Sequence, residues 1–270
     1  MPRSRARRSP APQLQARSLL LTYRPGIAAV DVDPEVIRKF GLRLQGRLIT
    51  PSSDAYDEAR RVNIWNPRTD RRPAFIVRCQ SDDDVARTIE FARRHSLAVA
   101  VRGGGHSFLG WGSSDGGVLI DLLGIDAIKI DPIKKSGKVG GGVLTGPFVS
   151  AAGQHGLAPV SGECPTVGLA GLTLGGGLEW LSGKYGAACD NVLSARIVTA
   201  DGRSRTADAS RSPDLFWAIR GGGGNFGVIT EFEYRLHPIG EVVAGNLIYR
   251  FEDAVRVAQT VPRVYGNGTG

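Results

Sequence analysis

The rhythm of apolar and polar positions changes near residue 118. Before it, PAFIVRC (Pro73–Cys79) predicts a strand and SDDDVARTIEFARRHSL (Ser81–Leu97) a helix. Ser81 stands where an N-cap belongs, three aspartates favour the positive N-terminal end, and Arg93 and Arg94 fall in the last turn. AVAVR (Ala98–Arg102) predicts the next strand. A strand, helix and strand in this order imply a right-handed crossover with parallel strands. Ligands of such open sheets sit beyond the strands' C-terminal ends, which is where RGGGHS (Arg102–Ser107) lies.

From Val118 onward the pattern is of short strands and turns: GVLIDL, AIKIDP and KVGGGV, then a helix around GPFVSAAGQHG (Gly146–Gly156). NVLSARIVTADGRSRTAD (Asn191–Asp208) predicts a hairpin turning at Asp201-Gly202. SPDLFWAIR predicts a short helix with Ser212 as N-cap and Pro213 at its first position. GVITEFEYRLH alternates Val228, Thr230, Phe232, Tyr234 and Leu236 as a half-buried strand does. The expected class is α+β, a small parallel unit followed by a mostly antiparallel region with flanking helices. EVVAGNLIYRF and EDAVRVAQTV (Glu241–Val261) read as the strand and helix that open a further unit, one that the chain ends without completing.

Composition narrows the function classes. With 270 residues, 41% of them hydrophobic and 22% charged, the chain can bury a substantial core. The net charge of +8 draws heavily on six arginines within the first 24 residues (Arg3, Arg5, Arg7, Arg8, Arg17, Arg24), and the body has no basic stripe interleaved with aromatics. Nucleic acid is therefore not an expected partner. The apolar run SLLL is too short for a secretory signal, and no run approaches the ~18 residues of a membrane span, so a cytoplasmic protein is expected. Cys79, Cys164 and Cys189 are too few and too scattered for a disulfide framework or a zinc site, and no metal is expected.

The 37 glycines are the strongest chemical signal, clustering at 103–105, 140–142, 168–177 and 221–227. Bare backbone brings N–H groups within reach of phosphate oxygens, which points to a phosphate-bearing cofactor. Two familiar phosphate motifs fail. Gly222, Gly224 and Gly227 satisfy G-x-G-x-x-G, but a helix precedes and a strand follows, the reverse of the dinucleotide-binding order. SGKYG (Ser182–Gly186) has Tyr185 where magnesium needs a hydroxyl residue and Leu178 where the first glycine of a P-loop belongs.

Four segments in order, VRGGGHS, SGECPTVGLAGLTLGGG, KYGAACDNV and DLFWAIRGGGGNFGVITEF, make a more specific pattern. It resembles the FAD-binding (PCMH-type) domain of the vanillyl-alcohol oxidase superfamily, and within it the berberine bridge enzyme-like oxidoreductases, over roughly Pro73 to Pro238 with weaker similarity from Gly46. The resemblance implies that Gly103, Gly104 and Gly105 cradle the FAD diphosphate while His106 bonds to the 8α-methyl group of the flavin. Arg102 and Ser107 would fix the loop and balance the phosphate charge. Cys164 matches a cysteine that in some members bonds to flavin C6, whereas Cys79 and Cys189 read as small buried hydrophobes. Thr166, Val167, Gly168, Gly171, Leu172, Gly175 and Gly176 would run beneath the flavin and diphosphate. Asp190 and Asn191 match the family's Asp-Asn pair, and Asn225, Gly227, Val228 and Ile229 the segment that closes on adenine and ribose. Many relatives carry Gly-Gly-His where this chain has Ala170, Gly171 and Leu172, a departure that bears on the electrostatics of the pyrimidine edge and on reaction with oxygen.

The domain plan that follows is a basic arm and lead-in over 1–45, an FAD-binding domain over 46–238, and the beginning of a substrate domain over 239–270. The implied activity is an oxidase, with a small-molecule substrate and O2 as partners, hydride passing from a CH–OH or C–N group to covalent FAD and hydrogen peroxide as product. The alternatives are a catalytically incomplete FAD-binding fragment and a flavin dehydrogenase. In the family the base comes from the substrate domain, so no residue is nominated for that role; Tyr185 and Glu179 read as structural. Substrate identity and oligomeric state are not legible.

Overall fold

Residues 32–63, 70–242 and 245–265 are described by the structure, a computed structural model. The expected arm, residues 1–31, lies outside the described residues. The lead-in contains a helix that its apolar pattern does not announce. Asp33 accepts the Glu35 N–H at 2.8 Å and Pro34 occupies the first turn of α1 (Pro34–Gly41). Phe40, near its end, stacks on Phe91 at 4.3 Å between centroids and joins the core.

β1 (Arg47–Ile49) leads through the short α2 (Tyr56–Ala59) to β2 (Phe75–Arg78), α3 (Asp82–Arg94), β3 (Val99–Arg102) and β4 (Val118–Asp121). α3 begins as its sequence dictates, the Ser81 hydroxyl accepting the Asp84 N–H at 3.3 Å. The sheet order is β1-β2-β4-β3, with β4 parallel to both neighbours and β1 antiparallel at the edge. GVLIDL therefore does not belong to the antiparallel region where its length and flanking turns placed it. Val118, Leu119 and Ile120 have no solvent exposure, and a strand apolar on both faces is stable in the middle of a covered parallel sheet.

The second sheet is antiparallel throughout. β5 (Ile128–Asp131) and β6 (Ser136–Gly140) are followed by α4 (Thr145–Gly153), β7 (Leu157–Ala158), α5 (Leu169–Leu174) and α6 (Ser182–Tyr185). β8 (Val192–Val198) and β9 (Ser204–Asp208) form the expected hairpin, with Gly202 at φ 78° in its turn. α7 (Pro213–Ala218), β10 (Val228–Arg235) and β11 (His237–Pro238) complete the region, in sheet order β5-β6-β10-β8-β9 with β7 and β11 paired apart. Phe232 and Tyr234 point into the core as the alternation predicts. Ser212 precedes α7, but its hydroxyl makes no capping bond: the residue is left-handed (φ 49°, ψ 53°), and the proline that follows starts the helix.

Val198 and Val228, from the antiparallel sheet, pack into the core of the parallel one. The glycines at 140–142 make this joint close. A Cβ on Gly142 would overlap the Leu122 carbonyl, just past β4 of the parallel sheet, while one on Gly141 would overlap the Ile229 carbonyl of β10 in its own sheet. Gly140 likewise lies against the Ile125 carbonyl, so all three glycines are explained by close backbone packing, and Gly142 by packing toward the parallel sheet. Beyond β11, EVVAGNLIYRF contains no strand among its described residues; Val243 and Ala244 lie outside them. Leu247 and Ile248 are 83% and 91% exposed, and without a neighbouring edge an extended segment has no ladder to join. The helix does form, as α8 (Ala254–Tyr265). Among the described residues no helix is long and apolar enough to cross a membrane.

Candidate cofactor site

The glycine loop is anchored at its root by a buried charge network. Arg102, 4% exposed at the end of β3, donates from Nη2 to Asp121 Oδ2 at 3.0 Å and from Nη1 to the Arg61 carbonyl at 2.8 Å. Arg78 Nε donates to the same Oδ2 at 2.9 Å. Two guanidinium groups share one wholly buried carboxylate, which leaves the cluster with a net positive charge. Arg102 thus holds the loop, and the charge it offers an anion is shared with Asp121.

Asn63 ties down the loop's carbonyl side. Its backbone N–H donates to Gly105 O at 3.0 Å and its Nδ2 to Gly104 O at 2.7 Å. The N–H groups of residues 103–106 donate to no partner among the described residues, so the free edge of this segment is a row of donors. Ser107 closes the following turn, its hydroxyl accepting the Trp111 N–H at 3.2 Å. Beside the loop lies a cleft of about 310 Å³ beyond the C-terminal ends of β2 and β3, lined by Arg47, Arg61, Arg78, Arg102, Gly103 and Gly104.

Across from the loop, a Cβ on Gly104 would sit 2.6 Å from the Thr166 carbonyl and overlap the Gly168 nitrogen. Only glycine allows this approach. It brings together side chains sixty residues apart in sequence: His106 Nε2 lies 3.0 Å from Thr166 Oγ1, and Thr166 Oγ1 lies 3.4 Å from Cys164 Sγ. Cys164 is exposed, and the Thr166 hydroxyl, reinforced by the Thr166 and Val167 N–H groups, holds its thiol below the ordinary range. Burial does the opposite to Cys79 and Cys189, raising both. The three cysteines are chemically distinct, and the one whose thiol is lowered is the one beside the histidine.

The remaining expected residues divide into two groups. Gly171, Gly175 and Gly176 leave backbone open: a Cβ on Gly171 or Gly176 would meet no protein atom within 4 Å. Leu172 is half-buried and packed over Gly162 and Gly177, an apolar group in this wall. In the other group, polar atoms of Asn191, Asp190 and Asn225 take part in bonds within the protein. Asn191 is buried, donates to the Tyr185 and Ala187 carbonyls at 3.0 and 2.9 Å, and meets His237 Nε2 at 2.7 Å through Oδ1. Asp190 Oδ2 accepts the Ala187 N–H at 2.9 Å, and Asn225 Nδ2 donates to Gly222 O at 2.9 Å. Val228 and Ile229 are core residues, and Gly227, at φ 147°, lies against the Val198 carbonyl. Tyr185 stacks on His237 at 3.8 Å, a packing role. Glu179 has one carboxyl oxygen buried without a partner among the described residues, and burial raises its pKa, with Glu163 adding to the effect.

The bare loop and its free donors fit the diphosphate of a flavin dinucleotide, and His106 and Cys164 lie together beside them. The FAD binding domain family matches residues 73–208. The chain belongs to this family. The chain is 42% identical over 198 residues to (R)-6-hydroxynicotine oxidase of Paenarthrobacter nicotinovorans, covering 73% of this chain and 43% of the relative. Among solved structures it is similar to glucooligosaccharide oxidase of Acremonium strictum, described as carrying 6-S-cysteinyl, 8α-N1-histidyl FAD, with a TM-score of 0.69 and 28% identity over 74% of this chain and 42% of that one. It is also similar to berberine bridge enzyme, TM-score 0.70 and 29% identity over 77% and 44%. The chain spans less than half the length of each of these relatives.

Asn63, Arg78 and Asp121 complete the site without having been singled out in the sequence. Asp121 had a signal, a carboxylate in an otherwise apolar buried run; Asn63, in an irregular polar segment, had none.

Proposed function

We propose that this FAD-binding domain carries FAD covalently through His106 and Cys164 and is the cofactor-holding part of an oxidase acting on a CH–OH or C–N group of a small molecule. The observation that carries the reading is the placement of His106 and Cys164 on either side of one hydroxyl, next to a loop with unengaged N–H donors. FAD, when bound, supplies two-electron chemistry: a hydride is accepted from substrate, a proton leaves its hydroxyl, and dioxygen takes both electrons to become hydrogen peroxide. The chain's part is to bind and orient. Gly103, Gly104 and Gly105 present backbone to the diphosphate, the Arg78–Asp121–Arg102 cluster sets a positive field there, and Gly171, Gly175 and Gly176 leave space for the ring system. Leu172 keeps the neighbouring wall apolar. The oxidase reading draws further support from the nicotine and oligosaccharide oxidases among the similar proteins.

The test is acid denaturation of the purified protein followed by fluorescence of the precipitate. Flavin is expected to stay with the protein, to persist in His106→Ala and Cys164→Ala singly, and to be released only in the double variant. Flavin lost wholly to the supernatant from the unsubstituted protein would overturn the covalent reading. Reoxidation in air then separates oxidase from dehydrogenase: prompt peroxide formation is expected, and slow reoxidation would favour a different acceptor.

A further inference from the structure

We propose that Thr166 is a positioning residue for cofactor attachment, its single hydroxyl tying the His106 imidazole to the Cys164 thiol and orienting both at once. This rests on the covalent reading above and adds a residue to it. Thr166 Oγ1 is within hydrogen-bond distance of both groups, 3.0 Å from Nε2 and 3.4 Å from Sγ. Its backbone is held from both directions, its carbonyl against Gly104 and the following N–H, that of Val167, donating to Cys164 O at 3.2 Å. The hydroxyl therefore does not reach the two groups by chance rotation of a loose turn.

One hydroxyl carries one proton, and this restricts the arrangements. When Thr166 donates to Sγ it stabilises a thiolate and must accept from the imidazole, so that Nε2 carries a proton and a neutral His106 keeps its free lone pair on Nδ1. When Thr166 donates to Nε2 instead, the sulfur keeps its own proton and donates to the oxygen, and Nδ1 carries the imidazole N–H. Passing from the second arrangement to the first releases one proton and makes both side chains nucleophilic together. Burial opposes a thiolate, so the hydroxyl and the backbone N–H groups are what favour it. A β-branched residue suits the role because χ1 is restricted and the hydroxyl is held between its partners.

The test compares Thr166→Val, Thr166→Ser and the unsubstituted chain in two measurements. The first is the pH dependence of Cys164 alkylation in full-length protein expressed under riboflavin starvation, read by peptide mapping. The second is the acid-stable fraction of flavin in protein expressed with riboflavin. Thr166→Val is expected to raise the alkylation midpoint by about one pH unit, roughly a tenfold loss of thiolate below it. Its acid-stable flavin is expected to fall several-fold with thermal stability unchanged, and Thr166→Ser to recover most of both. An alkylation profile and flavin fraction in Thr166→Val equal to those of the unsubstituted chain would overturn the proposal, as would Thr166→Ser behaving like Thr166→Val. If the unsubstituted chain holds no acid-stable flavin, the covalent reading and this role fall together; if it does and only the Thr166 variants are silent, the role alone falls.

Discussion

Gly104 lies against Gly168 so closely that a single methyl group on Gly104 would overlap the Gly168 backbone nitrogen. The obstacle is backbone on both sides, which cannot rotate away as a side chain can. Gly104→Ala is therefore expected to cost about 2–3 kcal/mol, in the range of overpacking in a tight interior, and to separate His106 from Thr166. Thermal melting and acid-stable flavin content check this: both are expected to fall. Gly103→Ala, whose Cβ would meet nothing closer than the Gly141 carbonyl at 3.6 Å, is expected to melt nearly as the unsubstituted protein does.

Asp121 is wholly buried and accepts from both Arg78 and Arg102. Asp121→Asn keeps the shape but leaves the buried Arg102 guanidinium without its counter-charge. A loss of about 3–5 kcal/mol is expected, the usual result of removing one partner of a buried pair. Urea unfolding followed by far-UV circular dichroism measures it, and an unchanged midpoint would mean that the network holds nothing.

Tyr234 Oη and Thr173 Oγ1 are 2.7 Å apart and both buried, joining β10 to the helix that follows the Gly168 segment. Tyr234→Phe strands the threonine hydroxyl in the core, at an expected cost of about 1–3 kcal/mol. The double variant with Thr173→Val should recover part of that loss, because the stranded group is then gone. A double-mutant cycle in urea reads the difference.

His237 gives the fold a pH dependence whose sign follows from its surroundings. Asn191 uses both amide hydrogens on carbonyls, so its Oδ1 accepts from the N–H of His237 Nε2, the proton that neutral His237 carries. Burial first, and Arg235 second, lower the pKa of His237 below its ordinary value of 6.5. The unfolded chain then binds a proton more readily than the folded one, so this contribution to stability is complete above about pH 6.5 and is lost as the pH falls below it. The melting temperature is expected to drop between pH 7.5 and 5.5, and by less in His237→Gln. Equal drops in the two proteins would remove His237 from the account.

The elements that depend on neighbours in sequence were legible from the chain. α3 with its Ser81 cap, the β8–β9 hairpin at Asp201-Gly202 and the inward face of β10 at Phe232 and Tyr234 all follow from periodicity, capping and turn chemistry, which act over a few residues. The same holds for the family, because the RGGGHS and GECPTVG segments are contiguous. The interior position of β4 was not legible, since its run of apolar residues suits any covered strand and only the pairing partners decide between sheets.

By itself the sequence determined which residues were chemically capable: a histidine after bare backbone, a cysteine in a turn, glycines in four clusters. Tertiary structure decided which of them meet. It assigned the 140–142 glycines to close backbone packing, used up the polar atoms of Asn191 within the protein, and placed Thr166 between His106 and Cys164. The physical reason is the same in each case. A contact across sixty residues depends on how closely two backbones approach, and that distance is set by the packing of two sheets rather than by any local preference of the chain.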